Sequence, residues 1–161
     1  DLHWRRPALH HVFGLGLDYD SAVMLDANLS DLIRDSGQDG VDVLTAPKDH
    51  AGVSISGTEL LRAIARLIDQ AKSTYDLIII DRAQVFPTNR LMIDPIVLTS
   101  LVQGVIMVVL HEATPKQQVR KAQKTLEAAG ANLLGVIANQ GRSSVAEARR
   151  AGLRSGAGGQ A

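Results

Sequence analysis

Apolar positions follow two different periods along this chain. Four short stretches are nearly continuous in branched aliphatic residues: Val41 to Leu44 (broken by Asp42), Leu77 to Ile80, Val105 to Leu110, and Leu133 to Ala138 with Gly135 inside it. Such runs suit strands covered on both faces, as in parallel sheets. The segments between them carry a helical period. Ser56-Gly57-Thr58-Glu59 is a capping box, followed by Leu60, Leu61, Ile64, Leu67, Ile68 and Ala71 on one face. Thr114-Pro115-Lys116-Gln117 supplies an N-cap, a proline at the first helical position and a glutamine at the third. Val119, Ala122 and Leu126 mark the apolar side of that helix, and Gly130 stops it. Ser144-Val145-Ala146-Glu147 opens a short polar helix that ends near Gly152. Strands alternating with helices predict βαβ crossovers: an α/β fold with a helix-covered, mostly parallel sheet. Residues 1–152 read as one domain, and the Gly- and Ser-rich stretch from Leu153 to Ala161 as a flexible tail.

Composition narrows the function classes. With 161 residues, the chain is long enough for one sizeable core and short for two. Seventeen basic residues balance 17 acidic ones, which argues against a nucleic-acid coat or a binder of acidic membranes. The absence of cysteine excludes disulfides, thiolate nucleophiles and cysteine zinc sites, and it fits a reducing compartment. Aromatics make up only 3%, too few for base-stacking platforms. No apolar run approaches the ~20 residues of a membrane helix.

In open α/β sheets, ligands bind beyond the carboxyl ends of the strands. Leu77-Ile78-Ile79-Ile80-Asp81 ends a buried run on a carboxylate, the form of a Walker B element that holds magnesium through water. An aspartate that simply caps the next segment reads equally well. Asn139-Gln140-Gly141-Arg142 leaves the last run; Asn139 can offer a donor and an acceptor to a base edge, though it is also an ordinary turn residue. His111-Glu112 lacks the second histidine of a zinc protease, because Pro115 stands in its place. Gly14-Leu15-Gly16 lacks the third glycine of a dinucleotide fingerprint, and Gly52 to Gly57 misses a nucleophile elbow by one position. His10 and His11 are expected on different sides of a helix, unsuited to sharing a metal. The basic face of Lys116, Arg120, Lys121 and Lys124 reads as solvated surface.

Taken in order, these elements resemble the capsular exopolysaccharide family of bacterial tyrosine autokinases, within the deviant Walker P-loop ATPases related to MinD and ParA proteins. Asp1-Leu2-His3-Trp4-Arg5-Arg6-Pro7-Ala8-Leu9-His10, with Phe13-Gly14-Leu15, is similar to that family's D-x-D-L-R-R-P-x-L-H-x-x-F-G-L. Asn28 to Ile33 resembles G-L-S-D-L-L, Val43 to Pro47 resembles V-L-P-A-G, and Glu59-Leu60-Leu61 matches E-L-L. Tyr75-Asp76 through Asp81 matches Y-D-h-I-I-I-D, Asp94 falls near a D-A step, and Leu134 to Asn139 is similar to L-G-V-V-L-N. The likeness runs unbroken over about residues 1–140.

The resemblance implies a cytoplasmic domain using ATP and Mg²⁺, peripheral to the inner face of the plasma membrane. There it would work with a membrane polysaccharide co-polymerase, with homo-oligomers and without nucleic acid. Asp1 would be the Walker A′ acid and Asp81 the Walker B acid, both catalytic and close to the metal. Asn139 and Arg142 would contact the nucleotide, and Arg5 and Arg6 would lie in a segment often used between subunits. No G-x-x-x-x-G-K-[ST] occurs, so this stretch is expected to be the part of such a protein that follows its P-loop, and to be inactive alone. His3 replaces the second aspartate, Arg82-Ala83-Gln84 replaces T-P-P, Gln103 replaces an aspartate, and Tyr19 and Tyr75 are the only tyrosines. These departures leave open a degenerate kinase, a non-catalytic regulatory or assembly subunit of the same system, or a MinD- or ParA-like positioning ATPase.

Overall fold

The structure, a computed structural model, describes residues 1–4, 6–49, 55–82, 84–86 and 95–140. The first element, α1 (Leu9–Phe13), is followed by a 3-10 turn at Ser21–Leu25 and the single turn α2 (Leu29–Leu32). Strands β1 (Arg34–Gln38) and β2 (Val41–Val43) come next, then the long helix α3 (Gly57–Lys72). After α4 (Pro95–Leu98), strand β3 (Val105–Leu110), helix α5 (Lys116–Ala128) and strand β4 (Leu133–Asn139) complete the order.

The parallel crossover is where the apolar periods put it. β3 and β4 pair in parallel from Val105↔Leu133 to Leu110↔Asn139, with α5 between them in sequence. Met107, Ala122 and Leu126 are buried where α5 covers one face of this ladder. Ile106, Val108, Leu110 and Ile137 on the other face are at least half exposed.

Helix α3 builds the larger core. Ser56 Oγ accepts from the Glu59 N–H at 3.2 Å and the Glu59 carboxylate accepts from the Ser56 N–H at 3.3 Å, so the capping box forms as the sequence predicts. Leu60, Ala63, Ile64, Leu67, Ile68 and Ala71 then bury one stripe, against Met24 of the 3-10 turn and Leu29 and Leu32 of α2. Arg66 fastens that contact: its guanidinium donates to the carbonyls of Met24, Leu25 and Ala27 at 2.6 to 3.1 Å, satisfying the end of the 3-10 turn.

Three local expectations are corrected. Val41 to Leu44, expected as a buried parallel strand, instead folds back on β1 as an antiparallel hairpin, with Gln38 opposite Val41. The turn is Asp39-Gly40, with Gly40 at φ 71°, and such a pair in a two-residue loop reverses the chain. Leu77 to Ile80, expected as a central strand, forms no ladder among the described residues. Its burial still alternates: Leu77 and Ile79 are 75% and 81% exposed, while Ile78 and Ile80 pack on the core. That two-residue period belongs to an extended chain. Finally, the cap of α5 is Pro115 rather than Thr114, whose hydroxyl accepts from the Leu110 N–H at 3.0 Å and so closes the turn out of β3. The expected helix at Ser144 to Gly152, the tail from Leu153, Asp94 and Gly52 to Ser54 lie outside the described residues.

Candidate functional site

Asp1 and Asp81, 80 positions apart, both line one apolar cavity of about 470 Å³. The backbone makes the meeting. The Leu2 N–H donates to the Asp81 carbonyl at 3.0 Å, and the Asp1 α-amine donates to the Leu44 carbonyl at 2.7 Å. Arg82 Nη1 also donates to the Leu2 carbonyl at 3.3 Å. Residues 1 and 2 are therefore held between the ends of the segments Val41–Leu44 and Leu77–Asp81.

The two carboxylates are placed differently. Asp1 Oδ1 accepts from the His3 N–H at 2.9 Å, and Oδ2 accepts from the N–H groups of Ala8 and Leu9 at 3.0 and 3.1 Å. Its main-chain carbonyl takes the buried Trp4 indole N–H at 3.2 Å. This carboxylate is bound to backbone donors and shapes the turn from residue 1 into α1, a use the sequence motif does not reveal. Asp81 also lines the cavity, and its carboxylate makes no hydrogen bond among the described residues. Burial pushes the Asp1 α-amine down to about 6 against a usual 8.0, with the Asp81 charge opposing the shift.

The other expected residues are spread out. His3 is half-buried and gives its carbonyl to the Arg6 N–H at 3.0 Å. Asn139 closes β4, where its carbonyl accepts from the His111 N–H at 2.9 Å. Arg5 and Arg142 lie outside the described residues. The rings of His10 and His11, expected on different sides of α1, instead have centroids 3.8 Å apart, because α1 is a short terminal turn with no buried residue to fix its side chains. Among the described residues, no group of three or more potential metal ligands is gathered at one point.

Two features escaped the sequence reading. Glu112 adopts φ 65° just past β3, a left-handed conformation that a non-glycine residue holds at a cost of about 1 kcal/mol or more. Tyr75 donates to Asp42 at 2.6 Å, which pushes its hydroxyl up to about 12 and ties the end of α3 to β2. Neither carries a local motif. The other tyrosine, Tyr19, is buried and donates to the Thr45 carbonyl.

No family model matches this sequence. Among curated proteins, the chain is 26% identical over 140 residues to the tyrosine-protein kinase CapB of Staphylococcus aureus, covering 84% of this chain and 58% of CapB. Among solved structures, it superposes on the chimerical protein CapA2B2 with a TM-score of 0.68 and 29% identity, over 87% of this chain and 60% of that one. Against the VpsO kinase domain the TM-score is 0.68 and the identity 30%, over 86% of this chain and 67% of that domain. The chain thus spans less than two thirds of CapB and of the chimera. Similarity over nearly all its length, at matching fold, bears out the resemblance read from the motifs and the α/β, P-loop NTPase-like fold class. The chain belongs to the capsular exopolysaccharide family of bacterial tyrosine kinases.

Proposed function

We propose that this chain is the portion following the P-loop of an ATP-dependent tyrosine autokinase-like protein of capsule or exopolysaccharide biosynthesis, which regulates polysaccharide polymerisation and export. The observation that carries this reading is the joining of Asp1 and Asp81, which line one cavity, through the Leu2–Asp81 backbone bond. In this reading Asp81 is the Walker B acid and holds magnesium through water, the arrangement hard cations take with carboxylates. Asp1 is the companion acid, and its three backbone donors fix where its charge sits. Magnesium and ATP, when bound, supply the charge neutralisation and the phosphoryl group. Asn139 and Arg142, at and beyond the end of β4, take the nucleotide side of the site. Residues 1–152 form one domain unit and 153–161 its tail. Working at the inner face of the membrane, the protein pairs with a membrane co-polymerase and with further copies of itself. No helix of the described residues is long and apolar enough to cross a membrane.

Arg82 supports a second reading, a regulatory subunit of the same system with weakened catalysis. Its guanidinium donates to the carbonyl of Leu2, the residue after Asp1, and Arg82 itself follows Asp81, where the family resemblance has T-P-P. Titrating the full-length protein with ATP, with and without Mg²⁺, separates the two. Under the kinase reading, Asp81→Asn weakens Mg²⁺-dependent ATP binding at least tenfold and abolishes phosphorylation. ATP affinity indifferent to Mg²⁺ and to Asp81→Asn overturns that reading and favours the regulatory one.

A further inference from the structure

We infer that Tyr75 is a phosphorylation site, and that its hydrogen bond to Asp42 is a latch which phosphorylation opens. Three observations converge on this. First, the turn that ends α3 fixes the residue: the Thr74 and Tyr75 N–H groups both donate to the Ala71 carbonyl, at 3.0 and 2.9 Å. The ring packs on the core while the hydroxyl stands at the surface, where it donates to the exposed Asp42 carboxylate at 2.6 Å. The hydroxyl of Tyr19, by contrast, is buried on the Thr45 carbonyl. Second, the surroundings of the Tyr75 hydroxyl are acidic. Asp35 lies directly opposite Asp42 in the β1–β2 ladder, and Asp76 follows Tyr75 in the chain. None of these three carboxylates forms an ion pair among the described residues. Third, the bond joins the two segments that hold residues 1 and 2: Asp42 leads into Val43 and Leu44, and Tyr75 into Leu77–Asp81.

Chemistry and consequence come from that setting. A hydroxyl already bound to a carboxylate has its proton acceptor in place. In the transfer, the Tyr75 oxygen bonds to the γ-phosphorus of ATP, the bond from that phosphorus to the bridging β-phosphate oxygen breaks, and ADP leaves. The phenolic proton passes to Asp42 and on to solvent. The product replaces a hydrogen-bond donor with a group of about −1.5 to −2 charge. No hydrogen is then left on that oxygen to donate to Asp42, and the new charge stands among Asp42, Asp35 and Asp76. Like charges held this close repel, so β2 separates from the end of α3. The opened latch slackens the grip of Leu44 and Asp81 on residues 1 and 2, so modification damps the candidate site. Only the source of the phosphoryl group, the protein's own kinase activity, rests on the function proposed above; the latch rests on the Tyr75–Asp42 geometry.

The test phosphorylates the folded full-length protein in two ways. One arm uses Mg²⁺ and ATP alone; the other adds a purified tyrosine kinase of broad specificity, which does not need this protein's own site. Mass spectrometry locates the phosphate, and amide exchange follows the β1–β2 ladder. Tyr75 is expected to be modified in both arms and Tyr19 in neither, with the ladder amides of the modified protein exchanging about tenfold faster or more. Asp42→Asn keeps an acceptor but removes the charge, so it should shrink that gain severalfold, as should salt at about 0.5 M. Tyr75→Phe loses the bond without gaining charge and sets the exchange expected from bond loss alone. Failure of the added kinase to modify Tyr75, or a modified protein whose ladder exchanges no faster than that of Tyr75→Phe, overturns the inference. Self-labelling confined to other tyrosines also overturns it, because the protein's own activity then passes the site by. No self-labelling at all, with Tyr75 modified and the ladder opened by the added kinase, overturns the kinase reading and supports the latch.

Discussion

At Asp1, one residue carries three jobs: its amine meets Leu44, its carboxylate collects three amides, and its carbonyl takes the Trp4 indole. The amine has a thermodynamic consequence. Burial lowers its pKa to about 6 from 8.0, so between these values the unfolded chain binds a proton that the folded chain does not. Stability of the 161-residue chain therefore rises as pH goes from 6 to 8; the contribution is fully present above 8, is lost as pH falls through this window, and is flat below 6, where both states bind the proton. The swing is about 2–3 kcal/mol at most. Urea unfolding at pH 6 and pH 8 measures it, and acetylation of the α-amine is expected to remove it. None of this was legible locally. The motif around Asp1 marked it as an acid of interest, but its backbone partners come from residues 3, 8, 9 and 44, which only the folded chain assembles.

The elements divide by how local their determinants are. Helix α3 was fully readable, because its capping box and its 3.6-residue stripe lie within sixteen consecutive residues. Its contributions are expected to separate. Ser56→Ala removes the cap and costs about 1 kcal/mol. Leu67→Ala opens a cavity in the core and costs about 2–5 kcal/mol. Denaturant midpoints of the two variants check this, and a Leu67→Ala cost no greater than that of the cap would show that the stripe is not the core. The hairpin was missed for a different reason. β1 reads Arg34-Asp35-Ser36-Gly37-Gln38, with no apolar residue to signal a strand, and only the Asp39-Gly40 turn identifies it. Leu77–Ile80 has the composition of a strand, but a ladder needs a neighbour, and composition does not supply one.

Over the whole molecule, the two faces of the β3–β4 ladder should respond unequally to change. Val108 is 61% exposed on the bare face, whereas Leu126 of α5 is 3% exposed on the covered one. Val108→Lys is expected to shift stability by less than about 0.5 kcal/mol, and Leu126→Ala to cost about 2–5 kcal/mol. Thermal and chemical unfolding of the two variants measures the contrast; comparable losses would mean that the Val108 face is packed in solution.

Properties written in short stretches were settled by the residues alone: the α/β class, the cap and stripe of α3, the parallel β3–α5–β4 crossover, and the ordered motifs that mark the family. Caps, turns and hydrophobic periods act over a few residues, so their physics is complete within the chain segment that encodes them. Placement of partners was settled by folding: the antiparallel course of Val41–Val43, the meeting of Asp1 with Asp81, and the binding of the Asp1 carboxylate by backbone amides. Each depends on a particular partner being in place before a hydrogen bond can form, whether two to eight positions away, as at the Asp1 carboxylate, or on a distant segment, as at the Leu2–Asp81 bond. Backbone N–H and C=O groups are the same at every residue, so their pairing across a fold leaves little trace in the sequence.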